Sequence, residues 1–174
     1  MNIEERLSQI TLVLCDVDGV LTDGGIIYDN QGIESKRFHI RDGLGIKLWQ
    51  RVGHRFALIT ARTSHVVQIR AGELGVDLVR QGFEEKLAVV RKLLEDLGQT
   101  PEATCYIGDD LTDLPVMNFV GLAACVADAA EDVRQSAQLV TDLRGGEGAV
   151  RELIERLLKA QGRWSELVQK YLEF

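Results

Sequence analysis

The chain has 174 residues, of which 45% are hydrophobic and 27% charged, and its formal net charge is -7. This length and composition predict one soluble globular domain, residues 1–174, that can bury a core without disulfides or structural metals. The charge is spread along the chain without a basic block, so we expect neither a nucleic-acid nor a membrane partner.

The cysteines also indicate the cellular setting. Cys15, Cys105 and Cys125 are odd in number, widely spaced and each set in an apolar run. That usage is typical of reduced core thiols rather than of a disulfide framework or a metal site. The N-terminus has no apolar signal segment, and no apolar run reaches the roughly 18 residues of a membrane span. We therefore expect a cytoplasmic protein.

Short apolar runs alternate with segments of helical period, which predicts an α/β fold with a doubly wound, Rossmann-like parallel sheet. In chain order, we predict strands at 11–15, 56–60, 77–80, 104–107, 122–126 and 139–140. The predicted helices lie at 42–52, 64–74, 84–97, 113–119, 128–136, 147–161 and 164–172.

Several helix ends carry local signals. Asp42 and Ser64 suit helix N-cap positions, because their side chains can accept a hydrogen bond from a free backbone N–H. Gly53, Gly75 and Gly98 stand where left-handed C-caps belong.

Residues 25–39 interrupt the alternation. β-Favouring residues flank the turn-forming segment 29–32, which predicts a β-hairpin projecting from the first crossover. Hairpin edges expose unpaired backbone groups. We therefore expect the hairpins to pair between subunits of a homo-oligomer.

Polar residues collect where the predicted strands end. Asp16 and Asp18 follow the first strand, Thr60 ends the second, and Asp109 and Asp110 follow the fourth. In an open α/β sheet, the ligand crevice lies at these carboxyl ends. Two neighbouring carboxylates repel each other unless a divalent cation neutralises them, and Mg²⁺ takes oxygen ligands. The sequence therefore predicts a Mg²⁺ site that handles phosphate.

These residue types fit phosphoryl transfer through a covalent intermediate. An aspartate beside Mg²⁺ can attack a phosphoryl group, and a second acid can donate a proton and later accept one. The phosphoryl oxygens also need a hydroxyl and an ammonium group, for which Thr60 and Lys86 are the candidates.

The order of these residues resembles the four motifs of the haloacid dehalogenase superfamily of phosphatases. The matching segments are 16–22 (DVDGVLT), Thr60, Lys86, and 108–110 (GDD) with Asp113. The resemblance implies a nucleophile and metal ligand at Asp16, an acid/base at Asp18 with its backbone carbonyl on the metal, a second side-chain ligand at Asp109, and phosphoryl stabilisers at Thr60 and Lys86.

Two groups of residues have other interpretations. Asp110 and Asp113 are either metal ligands or a helix cap and a residue that orients a ligand, because helix N-termini favour acids. The three histidines have no identifiable partners, and we expect structural rather than metal-binding roles for His39, His54 and His65.

Four further segments are similar to the 3-deoxy-D-manno-octulosonate 8-phosphate phosphatase family along nearly the whole chain: 38–43, 60–62, 106–110 with 115–117, and 145–152. Ala61 departs from that family, which more often has glycine there. The resemblance implies hydrolysis of this sugar-acid phosphate in lipopolysaccharide precursor synthesis, and a homotetramer.

The same resemblance implies contacts to the sugar acid, and the candidates are Arg41, Asp42, Gly43, Lys47, Arg62 and Arg70. Only a hairpin and a helix lie between the first two motifs, and only a helix and a strand lie between the next two. There is no room for a cap domain, so we expect a capless enzyme.

Three alternatives stay open at this point. A nonulosonate 9-phosphate phosphatase is the nearest, although those relatives tend to have Glu where this chain has Arg62. A receiver-type signalling domain should lack the role of Asp18. A phosphatase-like regulatory module should have lost one of the four motifs, and this chain keeps all of them.

Overall fold

The computed structural model describes residues 2–173. Within them, the strands are β1 (Leu12–Cys15), β2 (Ile27–Tyr28), β3 (Glu34–Ser35), β4 (Arg55–Thr60), β5 (Leu78–Gln81), β6 (Thr104–Gly108), β7 (Leu122–Cys125) and β8 (Leu139–Val140). The helices are α1 (Ile3–Gln9), α2 (Ile40–Arg51), α3 (His65–Leu74), α4 (Lys86–Leu97), α5 (Leu114–Met117), α6 (Glu131–Ser136), α7 (Ala149–Ala160) and α8 (Trp164–Leu172).

Six strands form one parallel sheet in the order β5-β4-β1-β6-β7-β8. The first strand lies in the middle, with Leu12 opposite Arg55 of β4 on one side and Thr104 of β6 on the other. The chain therefore builds the sheet outward in both directions from β1, as the predicted doubly wound fold requires. This reversal of strand order creates a crevice at the carboxyl end of β1.

The sheet is covered on both faces. All four residues of β1 are buried, and successive strand side chains point to opposite faces. Helices α1 and α2 pack on α7, while α4 packs on α5. The apolar runs that form β1, β6 and β7 are thus strands buried on both sides, whereas the edge strand β5 is only half-buried.

Helix α1 was not predicted from the sequence. It begins with a capping box, in which the Asn2 side chain accepts a hydrogen bond from the backbone N–H of Glu5 and the Glu5 side chain accepts one from that of Asn2. The signal was therefore present as Asn and Glu three residues apart. A helix of seven residues is too short for its periodicity to stand out.

The predicted N-cap at Asp42 is wrong. Helix α2 begins two residues earlier, and His39 is its N-cap, with Nδ1 accepting a hydrogen bond from the backbone N–H of Arg41. Ser64 does occupy the N-cap position of α3, but its side chain makes no capping bond. Gly75 is a left-handed C-cap, as predicted.

The other predicted glycine caps and the segment 113–119 follow the same local rules with small shifts. Gly98 is a left-handed C-cap of α4, whereas Gly53 has a positive φ but follows the C-cap of α2 by one residue. The helix predicted at 113–119 is shorter in the structure, where α5 covers Leu114–Met117 and follows a 3₁₀ turn, Leu111–Asp113. Proline near the start of α5 is compatible with this break.

The predicted hairpin contains a short antiparallel pair, because β2 pairs with β3 in a separate two-stranded sheet. Its turn is held by Oδ1 of Asp29, which accepts hydrogen bonds from the backbone N–H groups of Gln31 and Ile33. The projection of this hairpin is not confirmed.

The cysteines of the predicted core are all free and buried. Burial raises the pKa of the Cys105 thiol, and of Cys15 and Cys125 likewise, so these thiols stay protonated. Among residues 2–173, no helix has the length and apolar character needed to cross a membrane. The cytoplasmic location stays a prediction.

Candidate active site

The carboxyl edge of the sheet brings the motif residues together. Asp16 directly follows β1, and its backbone N–H continues the strand ladder by donating to the carbonyl of Ile107 at 3.0 Å. Thr60 is the last residue of β4, and Asp109 directly follows β6. Because β1 lies between β4 and β6, these three polar residues end at neighbouring positions.

A buried ion network surrounds Asp16, which is 6% exposed. The Nζ atom of Lys86 lies 2.9 Å from Oδ1 of Asp16 and 2.7 Å from Oδ1 of Asp113. The hydroxyl of Tyr106 donates to that same oxygen of Asp113 at 2.6 Å. Burial lowers the pKa of Lys86, but the two carboxylates more than offset this effect and raise it. Lys86 is therefore a fixed ammonium beside the predicted nucleophile.

The contacts of Asp113 distinguish between its two possible roles. One oxygen accepts from Lys86 and Tyr106, while Oδ2 accepts from the backbone N–H groups of Asp109 (2.9 Å) and Asp110 (3.2 Å). Both oxygens are thus engaged within the protein. Asp113 orients the loop that carries Asp109 and leaves no oxygen without a partner for a metal.

Asp110 has the geometry of a helix cap. Its side chain accepts a hydrogen bond from the backbone N–H of Leu111 at 2.8 Å and forms a capping box with Asp113. The side chain is exposed, and it lies outside the group of acids close enough to share one ion.

The acids of the site fit a divalent cation. Asp16, Asp109 and Asp113 each present an oxygen within 4.8 Å of the others. Among the described residues, Oδ1 of Asp109 is buried and has no hydrogen-bond partner. Burial, with repulsion from neighbouring carboxylates, raises the pKa of Asp16 to about 6 and that of Asp109 to about 8. A bound cation would offset the unfavourable free energy of holding these negative charges close together in a partly buried site. Asp16 and Asp109 remain available to hold it.

Two glycines allow the acidic loops to approach this closely. A Cβ atom on Gly19 would lie 2.0 Å from Oδ2 of Asp109, and the residue also has a φ of +91°. A Cβ atom on Gly108 would lie 2.4 Å from Oδ2 of Asp113. Glycine in both motifs is therefore explained by close packing of loops around the carboxylates.

A glycine-rich loop at 144–148 supports the turn that follows Asp16. The backbone N–H of Gly146 donates to the carbonyl of Val20 at 2.9 Å. A Cβ atom on Gly145 would lie only 1.7 Å from the carbonyl oxygen of Gly19. This contact connects the loop before α7 to the carboxyl edge of the sheet.

The hairpin reaches the same edge and contributes a second charged group of residues. The ammonium of Lys36, just after β3, forms an ion pair with Asp18. Nη2 of Arg62 donates to Oε1 of Glu34 at 2.8 Å and to the Tyr28 hydroxyl at 3.1 Å. The hairpin thus contacts Asp18 and Arg62 of its own chain.

Asp42 is almost completely buried, and Oδ1 accepts a hydrogen bond from the backbone N–H of Arg151 at 2.8 Å. Its carboxylate therefore faces the N-terminus of α7. Burial raises the pKa of Asp42 to about 6, although hydrogen bonds from Arg151, Gly148 and Val150 favour the charged form.

The other predicted sugar-acid contacts lie on α2 and α3. Gly43 leaves space for Arg70, because a Cβ atom there would lie 2.4 Å from Nη2 of that side chain. Arg41 and Lys47 are exposed. Among the described residues, no ion pair joins these three basic residues to the acids at the end of β1. Their role in substrate binding stays a prediction.

Two histidines have structural roles, as predicted. His39 caps α2, and the ring of His54 packs against Trp49 with Nε2 2.8 Å from Oε1 of Gln161. Within residues 2–173, the group of side chains close enough to share a metal ion consists of aspartates and contains no histidine.

Sequence reasoning missed Tyr106, Glu34, Lys36 and Ser64. Tyr106 could have been noticed as the one hydroxyl-bearing aromatic residue in the buried run 104–108. Ser64 was predicted only as an N-cap, and Glu34 and Lys36 carried no signal, because only the folded hairpin brings them to the site.

Comparison with known proteins agrees with this geometry. A family model described as haloacid dehalogenase-like hydrolase matches residues 69–153. The chain is 44% identical over 159 residues to the 3-deoxy-D-manno-octulosonate 8-phosphate phosphatase KdsC of Yersinia pestis, covering 91% of this chain and 85% of the relative.

Solved structures with the same fold include two metal-bound relatives. The phosphatase of Moraxella catarrhalis, in complex with magnesium, phosphate and KDO, superposes with a TM-score of 0.95 at 38% identity, covering 97% of each chain. The cobalt-bound phosphatase of Haemophilus influenzae gives a TM-score of 0.92 at 40% identity, covering 96% of this chain and 99% of that one. The chain therefore belongs to the haloacid dehalogenase superfamily, within the family of 3-deoxy-D-manno-octulosonate 8-phosphate phosphatases.

Proposed function

We propose that this chain is a Mg²⁺-dependent phosphomonoesterase that hydrolyses 3-deoxy-D-manno-octulosonate 8-phosphate to 3-deoxy-D-manno-octulosonate and phosphate. The observation that carries the proposal is the pair formed by the buried Asp16 and the half-buried Asp109, whose buried Oδ1 lacks a partner among residues 2–173. Lys86 lies beside Asp16 at 2.9 Å. Relatives that share 44% of the sequence are named as phosphatases of this substrate.

Asp16 is the nucleophile in this proposal. Its carboxylate attacks the phosphorus, the ester oxygen leaves, and an aspartyl-phosphate forms that water then hydrolyses. Asp18 donates a proton to the leaving oxygen and later accepts one from the attacking water. Lys86 and the Thr60 hydroxyl donate to the non-bridging phosphoryl oxygens.

Asp16, Asp109 and the backbone carbonyl of Asp18 would hold the metal. When bound, Mg²⁺ supplies positive charge to the phosphoryl oxygens and to the two carboxylates. Asp113 keeps Asp109 in place through its hydrogen bond to the Asp109 backbone N–H at 2.9 Å. The oxygen-rich donor set suits Mg²⁺.

Arg62 supports a substrate that carries a carboxylate. Its side chain lies at the site, with Nε 4.0 Å from Oδ2 of Asp18. Nε makes no hydrogen bond within the described chain, so this donor remains available. A guanidinium is well shaped to bind a carboxylate. Arg41, Asp42, Gly43, Lys47 and Arg70 complete the proposed set of sugar-acid contacts.

The alternatives are less well supported. Relatives of the nonulosonate 9-phosphate type tend to have Glu at the position of Arg62, and all of the similar curated proteins cited above are octulosonate phosphatases. A regulatory module would not need Lys86 to lie beside Asp16, or Asp16 and Asp109 to lie close enough to share an ion.

For assembly, we propose a single phosphatase domain, 1–174, that forms a homotetramer in which hairpins pair between subunits. The hairpin exposes four large apolar side chains: Ile26, Ile27, Tyr28 and Ile33 are 58%, 48%, 56% and 58% exposed. Exposed apolar groups concentrated on one short segment are typical of an interface. Light scattering of an active monomer at micromolar concentration would contradict this proposal.

A panel of sugar phosphates assayed with Mg²⁺ tests the proposed reaction. The octulosonate 8-phosphate should have the highest kcat/KM, ahead of a nonulosonate 9-phosphate and of neutral sugar phosphates. EDTA should abolish activity, and Mg²⁺ should restore it. Preference for the nonulosonate substrate would replace the proposal with its nearest alternative, whereas absence of any hydrolysis would favour a regulatory module. The product also suggests a role in lipopolysaccharide precursor synthesis.

A further inference from the structure

Glu34 has an unusual number of contacts for a residue on a short surface strand. Its Oε2 accepts a hydrogen bond from the Ser64 hydroxyl at 2.6 Å. Its Oε1 accepts from Nη2 of Arg62 at 2.8 Å and lies 3.3 Å from Nζ of Lys36. One carboxylate thus joins the hairpin to two residues of the loop between β4 and α3.

Two of the three residues that Glu34 contacts, Arg62 and Lys36, are cations that face the proposed acid/base Asp18. Lys36 forms an ion pair with Asp18, and Nε of Arg62 lies 4.0 Å from the other oxygen of Asp18. The Lys36 side chain is only 2% exposed, although lysine is rarely buried. Two cations close to each other would repel, and the carboxylate of Glu34 contacts both of them, as the carboxylate of Asp18 also does.

The side chains of Glu34 and Arg62 differ in their exposed fractions, and this difference indicates which atoms are held in place. The Glu34 side chain is 15% exposed, whereas that of Arg62 is 37% exposed. Arg62 uses Nη2 for Glu34 and Tyr28, while its Nε is buried without a partner among the described residues. Glu34 therefore holds one end of the guanidinium and leaves Nε unpaired near Asp18.

We propose that Glu34 is a positioning residue, which orients Arg62 and Lys36 so that both cations face the substrate at the Asp18 side of the site. Glu34 does not touch the reacting atoms. It acts through Arg62 and Lys36, and a free Arg62 side chain would lose conformational order that substrate binding must then restore. The hairpin is thus part of the active site of its own chain. This inference deepens the proposed function and rests on it for the identity of the substrate.

The first test does not depend on activity. The Nε–H group of Arg62 should give a distinct, slowly exchanging ¹⁵N NMR signal in the full-length protein, assigned by its loss in Arg62→Ala. In Glu34→Gln, this signal should broaden or move to the position of a solvent-averaged arginine, because the charged hydrogen bond from Nη2 to Glu34 no longer holds the guanidinium in place. The matched control is Ser35→Ala, since Ser35 is the exposed neighbour of Glu34 in β3. An unchanged Arg62 signal in Glu34→Gln would overturn the proposal.

The second test is kinetic. We expect Glu34→Gln to lower kcat/KM for the octulosonate 8-phosphate by about 5- to 20-fold, mainly through KM, with little effect on an aryl phosphate that has no carboxylate. In the Arg62→Ala background, the same substitution should have a much smaller effect, because residues in one network are not additive. Ser35→Ala should match the wild type.

These outcomes separate the two proposals. If the wild type does not hydrolyse the octulosonate 8-phosphate, the proposed substrate is wrong, and the NMR signal alone decides the role of Glu34. If the wild type is active but Glu34→Gln lowers kcat/KM equally for both substrates, Glu34 does not act through Arg62. The same conclusion follows if the effects of Glu34→Gln and Arg62→Ala on kcat/KM are fully additive. Thermal unfolding of each variant establishes that it is folded.

Discussion

The Nζ atom of Lys86 lies 2.9 Å from Oδ1 of Asp16, which joins the first residue of α4 to the end of β1. Both side chains are buried, and an isolated buried charge is costly. Each is tolerated because the other is present, with Asp113 as the second carboxylate on the ammonium. In the proposed mechanism, Asp16 and the fixed ammonium of Lys86 are therefore in place for a phosphoryl group before substrate arrives.

Substitution of the nucleophile gives the most direct test of the mechanism. Asp16→Asn should lower kcat by at least about 10³-fold, because an amide cannot form the acyl phosphate. Asp18→Asn should instead form a phosphoenzyme that is hydrolysed slowly, since water lacks its general base. Mass spectrometry of rapidly quenched protein distinguishes the two. Retained turnover in Asp16→Asn would be incompatible with the mechanism.

The metal assignment predicts different effects for two neighbouring acids. Asp109→Asn should weaken Mg²⁺ binding by at least about 10-fold, because it removes charge from a ligand. Asp110→Asn is the matched control, since the Asp110 carboxylate caps a 3₁₀ turn and is exposed. Calorimetric titration with Mg²⁺ measures both without a substrate. Equal loss in the two variants would show that Asp109 is not a specific ligand.

Arg62 should control substrate choice. Arg62→Ala should lower kcat/KM for the sugar-acid phosphate by an amount equivalent to about 1.5 to 3 kcal/mol, the range for a lost charged hydrogen bond. Hydrolysis of an aryl phosphate should change little, because that substrate has no carboxylate. Steady-state kinetics on both substrates is the measurement. If kcat/KM falls equally for both substrates, Arg62 binds the phosphate or stabilises the fold instead.

The buried carboxyl of Asp42 predicts a pH-dependent stability. Its pKa is raised to about 6 by burial, so the folded chain holds this proton more tightly than the unfolded chain does. Stability from this group is therefore greatest below the unfolded pKa and falls as pH rises through about 6. The side chain of Asn is neutral at every pH. As pH rises from 4 to 8, the unfolding free energy of Asp42→Asn should therefore increase by about 2 to 3 kcal/mol relative to that of the wild type.

Urea unfolding of the wild type and Asp42→Asn across that pH range measures the difference. The opposite sign, with Asp42→Asn losing stability relative to the wild type at high pH, would mean that hydrogen bonds from the N-terminus of α7 outweigh burial.

A substitution in the glycine-rich loop before α7 should lower both stability and activity, although the loop lies outside the acidic site. In Gly145→Ala, the new Cβ would lie 1.7 Å from the carbonyl oxygen of Gly19, which is backbone and cannot easily move. We expect a loss of about 1 to 3 kcal/mol in unfolding free energy. Activity should fall as well, because Gly19 lies against Asp109.

Gly72→Ala is the control for that substitution. Gly72 lies in α3, and a Cβ there would meet no atom within 4 Å. This variant should be more stable than the wild type by about 0.5 to 1 kcal/mol, because alanine favours a helix. Full activity in Gly145→Ala would mean that the contact with Gly19 can relax without cost.

Much of the fold and of the acidic site could be predicted from the sequence alone. Strands of a parallel sheet end at the same edge, so polar residues after apolar runs had to meet there, as Asp16, Thr60 and Asp109 do. Glycine C-caps such as Gly75 were equally predictable, because a left-handed residue is a local requirement. These features depend on backbone geometry and on periodicity within short segments.

The tertiary structure decided the contacts between distant segments. Asp42 suited an N-cap by residue type, yet packing of α2 on α7 directs its carboxylate to the backbone N–H of Arg151. Nothing in the sequence distinguishes Glu34 and Lys36 from other charged residues, and only the direction in which the hairpin folds places them beside Arg62 and Asp18. Residue type and local propensity determine a turn or a cap, whereas the partner of a charged side chain depends on how separate elements pack in three dimensions.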